Sequence, residues 1–165
     1  MAENYIVING KKAELTPEQL KALGIEVKEP SPFDRVNRGD SYFFIPSYGV
    51  VNTHEDKNDS YDVYRFGVAN YCTDKDLLQQ QAYRETLNRL LWRFSMEHGG
   101  GNETWNPTTA KFHIIYNHDL ERWGPDRSTA FQRIGIVYFE SKDIAEQAIE
   151  EIVKPFMKEH PDFKL

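Results

Sequence analysis

The side chains that could ligate a metal or act as a nucleophile are few and scattered along the chain. Cys72 is the only cysteine, which excludes thiolate-rich zinc sites. The histidines are His54, His98, His113, His118 and His160. No two of them have the His-x-x-x-His spacing that places two imidazoles on one face of a helix, and His118 could meet His113 only across a hairpin. We therefore expect no metal site, and we expect His113 to be a strand residue satisfied by a neighbour.

Cys72 follows a predicted strand and precedes a predicted helix, whose dipole would lower the pKa of its thiol. A nucleophilic cysteine also needs a base, and the sequence places none beside it. We therefore interpret Cys72 as a half-buried structural residue.

The acidic segment 54–62 places four oxygen-bearing side chains at alternate positions, as in the first half of a calcium-binding loop. They are Asp56, Asn58, Ser60 and Asp62. Such a loop has glycine at its sixth position and a bidentate glutamate at its twelfth, and here those positions hold Tyr61 and Gly67. We expect a solvated acidic loop without a metal.

The region 117–132 carries carboxylates that could act as acids or bases. They are Asp119, Glu121 and Asp126. Because Arg122 and Arg127 lie among them, surface ion pairs are the simpler interpretation. The three glycines at 99–101 follow a predicted helix, whereas anions bind at a helix N-terminus. We therefore expect neither an enzyme nor a bound cofactor.

Flat aromatic side chains and arginines concentrate in the regions 46–62 and 117–132 and in the connection 99–110. Such groups bind proteins, nucleotides or single-stranded nucleic acid. The candidate binding residues are Tyr48, Trp105, Tyr116, His118, Arg122, Trp123 and Arg127, with Arg133 beside them. The alternative is that Trp105 and Trp123 only cover the edge of a small core.

The composition describes a polar, acidic chain. Its 165 residues are enough for one domain with a single core, and their formal net charge is -6. This charge argues against binding to duplex DNA, which relies on clustered lysine and arginine. No apolar stretch approaches the length of a membrane span, and no export signal is recognisable. We expect a cytoplasmic protein that does not associate with membranes.

Residues 1–24 predict a small hairpin–helix module. Asn9-Gly10 between two alternating stretches is a strong hairpin signal. Thr16 and Gln19 have the spacing of a helix-capping box. The following residues, 25–40, have mixed charge and no periodicity, so they predict a linker.

Two strand–strand–helix units are predicted at 41–98 and 111–158, joined by the glycine-rich connection 99–110. The strands are predicted at 41–45, 63–71, 111–116 and 132–139. The first helix has its apolar stripe at Leu77, Tyr83, Leu87, Leu90, Leu91 and Phe94, and the second at Ile144, Ala145, Ala148, Ile149, Ile152 and Val153. Pro155 should kink or end the second helix.

The two strand-to-helix joints share a pattern. Gly67, Tyr71 and Thr73 in the first are echoed by Gly135, Phe139 and Ser141 in the second. Internal duplication would explain the echo, as would chance similarity between two ordinary joints. Two tandem units most simply form a four-stranded, mainly antiparallel sheet with both helices on one face, so the predicted fold class is α+β.

Three segments carry a resemblance to known proteins. They are ING-x-x-x-E-L-T-x-E-Q-x-x-x-L-G at 8–24, Y-F-x-I-x-x-x-G-x-V at 42–51 and G-x-V-Y-F-x-S-x-x-x-A-x-x-A-I at 135–149. The chain resembles a family of uncharacterised proteins from phages and prophages of Gram-positive bacteria. It departs from the family at 77–81, where Leu-Leu-Gln-Gln-Gln replaces an acidic, alanine-rich run. The shared motifs are structural, so the resemblance implies a phage accessory protein but no catalytic residues.

The expected function is binding without catalysis. Small phage accessory proteins often act on a host or anti-phage-defence protein, and the regions 46–62 and 117–132 with Trp105 and Trp123 would supply the contacts. A second interpretation is a small-ligand module that sequesters a nucleotide with Arg122 and Arg127. A third is binding of single-stranded nucleic acid.

Overall fold

The computed structural model describes residues 5–8, 11–24, 31–47, 49–100 and 105–164. It confirms the α+β class. The strands are β1 (Tyr5–Ile8), β2 (Lys11–Glu14), β3 (Ser41–Phe44), β4 (Asn52–Glu55), β5 (Lys111–Asn117) and β6 (Arg122–Ser128). The helices are α1 (Pro17–Ala22), α2 (Ser60–Gly67), α3 (Lys75–Glu97), α4 (Lys142–Ala148) and α5 (Lys154–Glu159), with a π-helical turn (Ile149–Val153) between the last two. None of the described helices is long and apolar enough to span a membrane.

The chain groups into two compact units. Unit 1 comprises Met1–Pro46 and Val51–Leu78, and unit 2 comprises Ser47–Val50 and Gln79–Leu165. The boundary falls inside α3, whose first turn belongs to unit 1. That all 165 residues form one domain stays a prediction.

The hairpin–helix module predicted for 1–24 is confirmed. β1 pairs antiparallel with β2, and the Asn9-Gly10 connection lies outside the described residues. Thr16 Oγ accepts a hydrogen bond from the Gln19 N–H at 3.3 Å, and Gln19 Oε1 accepts one from the Thr16 N–H at 2.8 Å. Both halves of the capping box are therefore present. In the predicted linker, residues 31–40 contain no helix or strand, and the remainder lies outside the described residues.

In unit 1, β3 and β4 form an antiparallel hairpin with Tyr42 opposite His54. On the other edge of β3, Phe43 exchanges two backbone hydrogen bonds with Cys72, at 2.7 and 3.0 Å. The strand predicted at 63–71 is wrong, because α2 takes up most of this stretch and only the adjacent Cys72 pairs with β3.

A capping box explains why α2 forms where a strand was predicted. The Asp59 carboxylate accepts hydrogen bonds from the N–H groups of Tyr61 and Asp62, at 2.8 and 3.1 Å. In return, the Asp62 carboxylate accepts one from the Asp59 N–H at 3.2 Å. These reciprocal bonds start a helix, and they override the strand propensity of the valine and aromatic residues that follow.

α3 is the longest element, and its predicted extent is confirmed. It covers 23 residues, and Asp74 caps it by accepting a hydrogen bond from the Leu77 N–H at 3.0 Å. The predicted apolar stripe from Tyr83 to Phe94 packs in the core of unit 2. The prediction that Leu77 continues the stripe is wrong, because its side chain is 40% exposed and that of the neighbouring residue Leu78 is buried instead.

In unit 2, β5 and β6 pair antiparallel over their full length. The region 117–132, predicted to be a loop or a hairpin tip, contains the hairpin turn at 118–121, but β6 occupies 122–128 and only 129–132 continue without helix or strand. The backbone N–H and C=O of Phe112 bond to Phe139 and therefore point away from β6. Ile114 lies two residues further along the strand, so its N–H and C=O point the same way. Pro125 lies opposite Ile114, at a position where no N–H is needed for a hydrogen bond between the strands. The absence of an N–H in proline therefore does not weaken the pairing.

The strand predicted at 132–139 reduces to a single bridge. Phe139 exchanges two backbone hydrogen bonds with Phe112, at 2.7 and 3.0 Å. Before it the chain turns at Gly135, whose φ is +79°, and Ile134 is fully exposed. The antiparallel pairing is confirmed, but in place of one four-stranded sheet the described residues form three two-stranded sheets.

The core of unit 2 lies between the β5–β6 hairpin and the helices. Its buried residues are Leu87, Phe94, Val137, Phe139, Ala145, Ala148, Val153, Phe156 and Phe163. Phe112 and Ile114, which share one face of β5, pack against them. The predicted stripe of the last helix, from Ile144 to Val153, is confirmed as its buried or half-buried face.

The last helix passes Pro155 by widening before it. The N–H of Lys154 bonds to the carbonyl of Ile149, five residues back, in a π-helical turn. Since proline has no N–H and clashes with the carbonyl four residues earlier, this wider turn accommodates it. Beyond it, Phe156 is buried and Met157 packs on the same cluster, so the helix neither ends nor loses its core contacts.

From β3 to α3 and from β5 to α4, the chain forms a hairpin, a single bridge to its first strand and a helix, in that order, and α2 lies between the first hairpin and its bridge. The bridging residues are Cys72 and Phe139, and in each case the next helix starts three residues later. Internal duplication stays a prediction.

A pair of substitutions distinguishes this fold from the predicted central strand. We expect Ile134→Ala to change the free energy of unfolding by less than about 0.5 kcal/mol, because the side chain is exposed. Phe139→Ala should lower it by about 3–5 kcal/mol, because the ring is buried in the core. Urea denaturation measures both. If Ile134→Ala lowered the free energy of unfolding by about 2 kcal/mol or more, the side chain would be buried and the predicted strand would be supported.

Candidate functional site

Three of the predicted binding residues lie together at the turn end of the β5–β6 hairpin. The Tyr116 ring lies 5.0 Å from the Trp123 ring, at 65°, and 5.0 Å from the His118 ring, at 79°. Tyr116 and Trp123 are opposite residues of the two strands, so the antiparallel register brings them together. Trp123 also packs against the core cluster that contains Phe156. These aromatic residues are therefore partly structural.

Trp123 and Arg122 line a groove of about 660 Å³ between the start of β6 and the last helix. The other lining residues are Glu121, Pro125, Glu146, Gln147, Ile149, Glu150 and Lys154. Three carboxylates and two cations thus surround one half-buried indole. The groove does not have the converging arginines that we would expect of a phosphate or nucleotide site.

The remaining predicted residues lie elsewhere or outside the described chain. Trp105 is half-buried with its ring 5.0 Å from that of Tyr138. Arg127 is exposed on β6 and does not line the groove. Arg133 is exposed, and its backbone N–H donates to the Tyr138 hydroxyl at 3.0 Å. Tyr48 is outside the described residues.

Unit 1 contains a buried polar network that the sequence did not predict. Asp56 accepts two hydrogen bonds from the Arg35 guanidinium, at 3.0 and 3.2 Å, and one from the Tyr71 hydroxyl at 2.9 Å. The Arg35 hydrogen bond, more than any other influence, holds the Asp56 pKa below its ordinary value. The prediction that this segment is a solvated acidic loop is wrong, because Asp56 and Asp62 are both buried.

Asp62 is the second carboxylate of the network. It accepts hydrogen bonds from the Tyr42 hydroxyl at 2.7 Å and from the Lys57 N–H at 2.8 Å, besides the capping bond from the Asp59 N–H. Burial acts to raise the Asp62 pKa, but these hydrogen bonds outweigh burial and lower it. The carboxylate therefore stays charged and joins β3, the loop after β4 and the first turn of α2.

The two tyrosines of the network stack on each other. Their ring centroids are 3.8 Å apart with an interplanar angle of 15°. Burial raises the pKa of Tyr42 to about 12 and that of Tyr71 to about 12, so both hydroxyls stay protonated near neutral pH. Arg65 donates to the Tyr42 hydroxyl at 2.8 Å and lies 3.7 Å over the Phe44 ring. The arrangement supports hydrogen bonding rather than proton transfer.

His54, Asp59 and Asp62 offer ligand atoms within 4.8 Å of one another, the spacing of a metal site. The carboxylates already serve other partners, since Asp59 caps α2 and Asp62 accepts the hydrogen bond from Tyr42. A cation here would compete with the contacts that position α2.

α2 has the reverse of the usual helix burial. The only buried residue of its eight is Asp62. Its exposed apolar residues are Tyr61, Val63, Tyr64 and Phe66, and Val68 follows them. A surface helix normally buries its apolar stripe, so this helix presents a surface that the described chain does not cover.

Cys72 has a structural role, as predicted, but is buried rather than half-buried. Its sulfur accepts a hydrogen bond from the Asp74 N–H at 3.4 Å. Burial raises the pKa of its thiol, contrary to the predicted effect of the helix dipole. The thiol is not prepared for nucleophilic attack.

Within the part of the chain that the structure describes, His113 and Trp105 contain buried nitrogens without a hydrogen-bond partner. Both ring nitrogens of His113 and Nε1 of Trp105 are in this state. The nearest carboxylate oxygen, on Asp126, is 3.8 Å from His113 Nε2. Burial has the largest effect on the His113 pKa and lowers it, while Asp126 opposes this. The prediction that a neighbour satisfies His113 is therefore wrong.

One sequence signal could have revealed the α2 surface. The Asp59-x-x-Asp62 spacing is that of a capping box, and it precedes a run of aromatic and valine residues. It would have predicted a helix. The burial of Asp62 depends on Tyr42, which is 20 residues away, so local patterns could not have predicted which face is exposed.

Comparison with protein families, with curated proteins and with solved structures finds no match to this chain.

Replacing Asp62 should destabilise the fold. We expect Asp62→Asn to lower the free energy of unfolding by about 1–3 kcal/mol, because the amide places a donor where N–H and O–H groups need acceptors. The folded pKa of Asp62 is below the unfolded value of about 3.9, so its contribution is present above that pH and lost as the pH falls through the folded pKa. Chemical denaturation between pH 2 and 7 measures both effects. The exposed Asp40→Asn is the control, and equal stabilities of the two variants would contradict the role of Asp62.

Replacing His113 should stabilise the fold. His113→Phe removes two unpartnered nitrogens and keeps a ring against Tyr138, so we expect a gain of about 1–3 kcal/mol at pH 7. Because the folded pKa of His113 is below the unfolded value of about 6.5, the wild type should also lose stability below that pH, and the variant should lose less. Denaturation at pH 5 and 8 measures both. A less stable variant at pH 8 would show that the nitrogens have partners.

Proposed function

We propose that this protein acts by binding another protein through the exposed face of α2. The observation that carries the proposal is the reversed burial of this helix, in which Asp62 is inside while Tyr61 and Tyr64 are each 70% exposed. We call the surface formed by Tyr61, Val63, Tyr64, Phe66 and Val68 the α2 surface.

The anchoring of α2 supports this proposal. A short helix usually takes its orientation from the burial of apolar side chains. Here the orientation comes from hydrogen bonds to Asp62, which hold the helix from its first turn. Among the apolar side chains, Phe66 contacts the Tyr71 ring at 5.5 Å, whereas Tyr61 and Tyr64 are each 70% exposed. They are also presented on a rigid element, which reduces the entropy lost on binding.

The composition and spacing of the α2 surface suit a helix that binds in a groove. Tyr61, Tyr64 and Val68 stand at i, i+3 and i+7, the spacing of anchor residues in such complexes. Tyrosine is enriched among residues that dominate binding energy. Five partly exposed side chains of this size amount to several hundred Å², enough for the centre of an interface whose standard area is about 800 Å² per partner.

The partner that fits this surface is a protein with an apolar groove and hydrogen-bond acceptors for the tyrosine hydroxyls. The resemblance to phage and prophage accessory proteins makes a host or defence protein the natural candidate, met in the host cytoplasm. The nucleotide interpretation has less support, because the groove beside Arg122 contains three carboxylates. Neither this groove nor the α2 surface clusters basic residues as a nucleic-acid site would.

Two substitutions on the α2 surface test the proposal. We expect Tyr61→Ser with Tyr64→Ser to reduce capture of a specific host protein from a Gram-positive lysate at least about tenfold, since each loses a contact worth about 1 kcal/mol or more. Quantitative mass spectrometry of the captured proteins measures the loss. Thermal unfolding should be nearly unchanged, because both rings are exposed.

Trp92→Ser is the matched control, because this indole is 52% exposed on α3 and lies outside the α2 surface. Its captured proteins should equal those of the wild type. A captured protein that the double variant retains would overturn the proposal. So would a homodimer that the double variant dissolves, because the second copy would then be the occupant.

A further inference from the structure

Residues 160–164, which follow α5, contact one face of α3 in the way that a short peptide contacts a protein. They form a turn, in which the N–H of Phe163 donates to the His160 carbonyl at 3.0 Å. Pro161 stands at the second position of this turn, where its fixed φ is favoured. The conformation of the segment is therefore determined largely by its own residues.

The segment has one buried side chain. Phe163 is 9% exposed and packs in the core cluster that contains Leu87 and Phe156. The residues at 161, 162 and 164 are exposed. One buried aromatic anchor on an otherwise exposed turn is typical of a peptide ligand whose binding energy is concentrated in a single residue.

α3 holds the backbone of the segment through two side chains spaced one helical turn apart. The Gln80 amide donates to the Asp162 carbonyl at 2.9 Å, and Gln80 Oε1 accepts a hydrogen bond from the Lys164 N–H at 2.7 Å. Arg84 Nη2 donates to the Lys164 carbonyl at 3.3 Å. Because these contacts involve main-chain groups, they fit any segment of the same conformation, whatever its sequence.

Tyr83 adds the contacts that depend on sequence. Its hydroxyl donates to the Asp162 carboxylate at 3.2 Å, and its ring lies 4.5 Å from the His160 ring and 5.8 Å from the Phe163 ring. The site thus selects an acidic residue followed by an aromatic one. The hydrogen bonds from α3 are solvent-exposed, so the segment belongs to the part of the fold that opens most easily.

We propose that this face of α3 is a docking site for a turn-forming segment of a partner protein, in which an acidic residue precedes an aromatic one. The chain's own residues 160–164 occupy the site, and the segment of the partner replaces them when they detach. This competition weakens the apparent affinity according to the fraction of chains in which the site is free. The docking site is therefore self-inhibited.

A peptide titration of the full chain, followed by NMR, tests this inference. The probe is acetyl-His-Pro-Asp-Phe-Lys-amide, and the readout is the side-chain NH2 signal of Gln80. The variant Phe163→Ala removes the anchor of the attached segment, and we expect it to bind the peptide with a Kd of about 1 mM or lower. The wild type should bind at least about tenfold more weakly, because its own segment fills the site.

A second variant keeps the test decisive if Phe163→Ala does not fold. Pro161→Gly leaves the site and the anchor intact and only loosens the turn, so it should bind the peptide about two- to fivefold more tightly than the wild type. Pro107→Gly is the matched control, because this proline is exposed and outside the site. Its Kd should equal that of the wild type.

Two altered peptides define the class of partner. Acetyl-Gly-Pro-Asp-Phe-Gly-amide keeps only the proline, the acidic residue and the aromatic anchor, and its Kd should be within about fivefold of that of the first peptide. Acetyl-His-Pro-Asp-Ala-Lys-amide lacks the anchor and should bind at least about tenfold more weakly.

Four outcomes would contradict the inference. The first two are no Gln80 shift in either variant up to about 10 mM peptide, and equal Kd values for the wild type and both variants. The third is loss of binding with the glycine-flanked peptide, which would restrict the site to the chain's own segment. The fourth is a wild-type dimer that Phe163→Ala dissociates, which would assign the site to the segment of a second copy.

The docking site and the α2 surface can be tested separately. All the residues of the docking site belong to unit 2, whereas those of the α2 surface belong to unit 1. None of the four outcomes bears on the α2 surface, so failure here and failure of the proposed function are distinguishable.

Discussion

The hydrogen bond between the Tyr42 hydroxyl and the Asp62 carboxylate is the constraint on which unit 1 depends. A buried carboxylate is stable only when its oxygens have donors, so β3, the loop after β4 and the first turn of α2 must all approach it. The buried Asp56 carboxylate likewise requires the hydrogen bonds that Arg35 and Tyr71 donate to it. Two buried charges thus determine the path of the chain from 35 to 71. The consequence reaches the surface, because a helix held by its aspartate leaves its apolar residues outside.

Unit 2 is organised in the opposite way, around apolar packing. Its helices bury regular stripes against one face of the β5–β6 hairpin. Pro155 interrupts the regular hydrogen bonding of the last helix. To keep Phe156 in the core beyond a proline, the helix widens into a π-helical turn.

The elements that the sequence predicted correctly are those with local causes. Caps at Thr16 and Asp74 and stripes at three- and four-residue spacing determine α1, α3 and the last helix. Several of the wrong predictions concern pairing between distant residues, whereas the strand predicted at 63–71 was wrong because of the local capping box that starts α2. β6 contains Gly124 and Pro125 and has little strand propensity, yet it pairs with β5 over its full length. Pro125 is tolerated because it lies opposite Ile114, at a position where the pairing needs no N–H. The stretch 132–139 has high propensity but only one pair, because a turn at Gly135 removes it from the edge of β5.

The candidate sites show the same division between local and distant causes. Sequence reasoning singled out Trp123 and Arg122 from their residue types, and the groove contains both. It could not exclude Arg127, because the position of a residue beside the last helix depends on strand register. It also treated Asp56 and Asp62 as solvated, because polar residues are usually exposed. Burial of a charge requires partners from several parts of the chain, and those partners cannot be recognised before the fold is known. For this reason the most distinctive surface of the protein, the apolar face of α2, follows from an acidic residue that the sequence analysis had assigned to a loop.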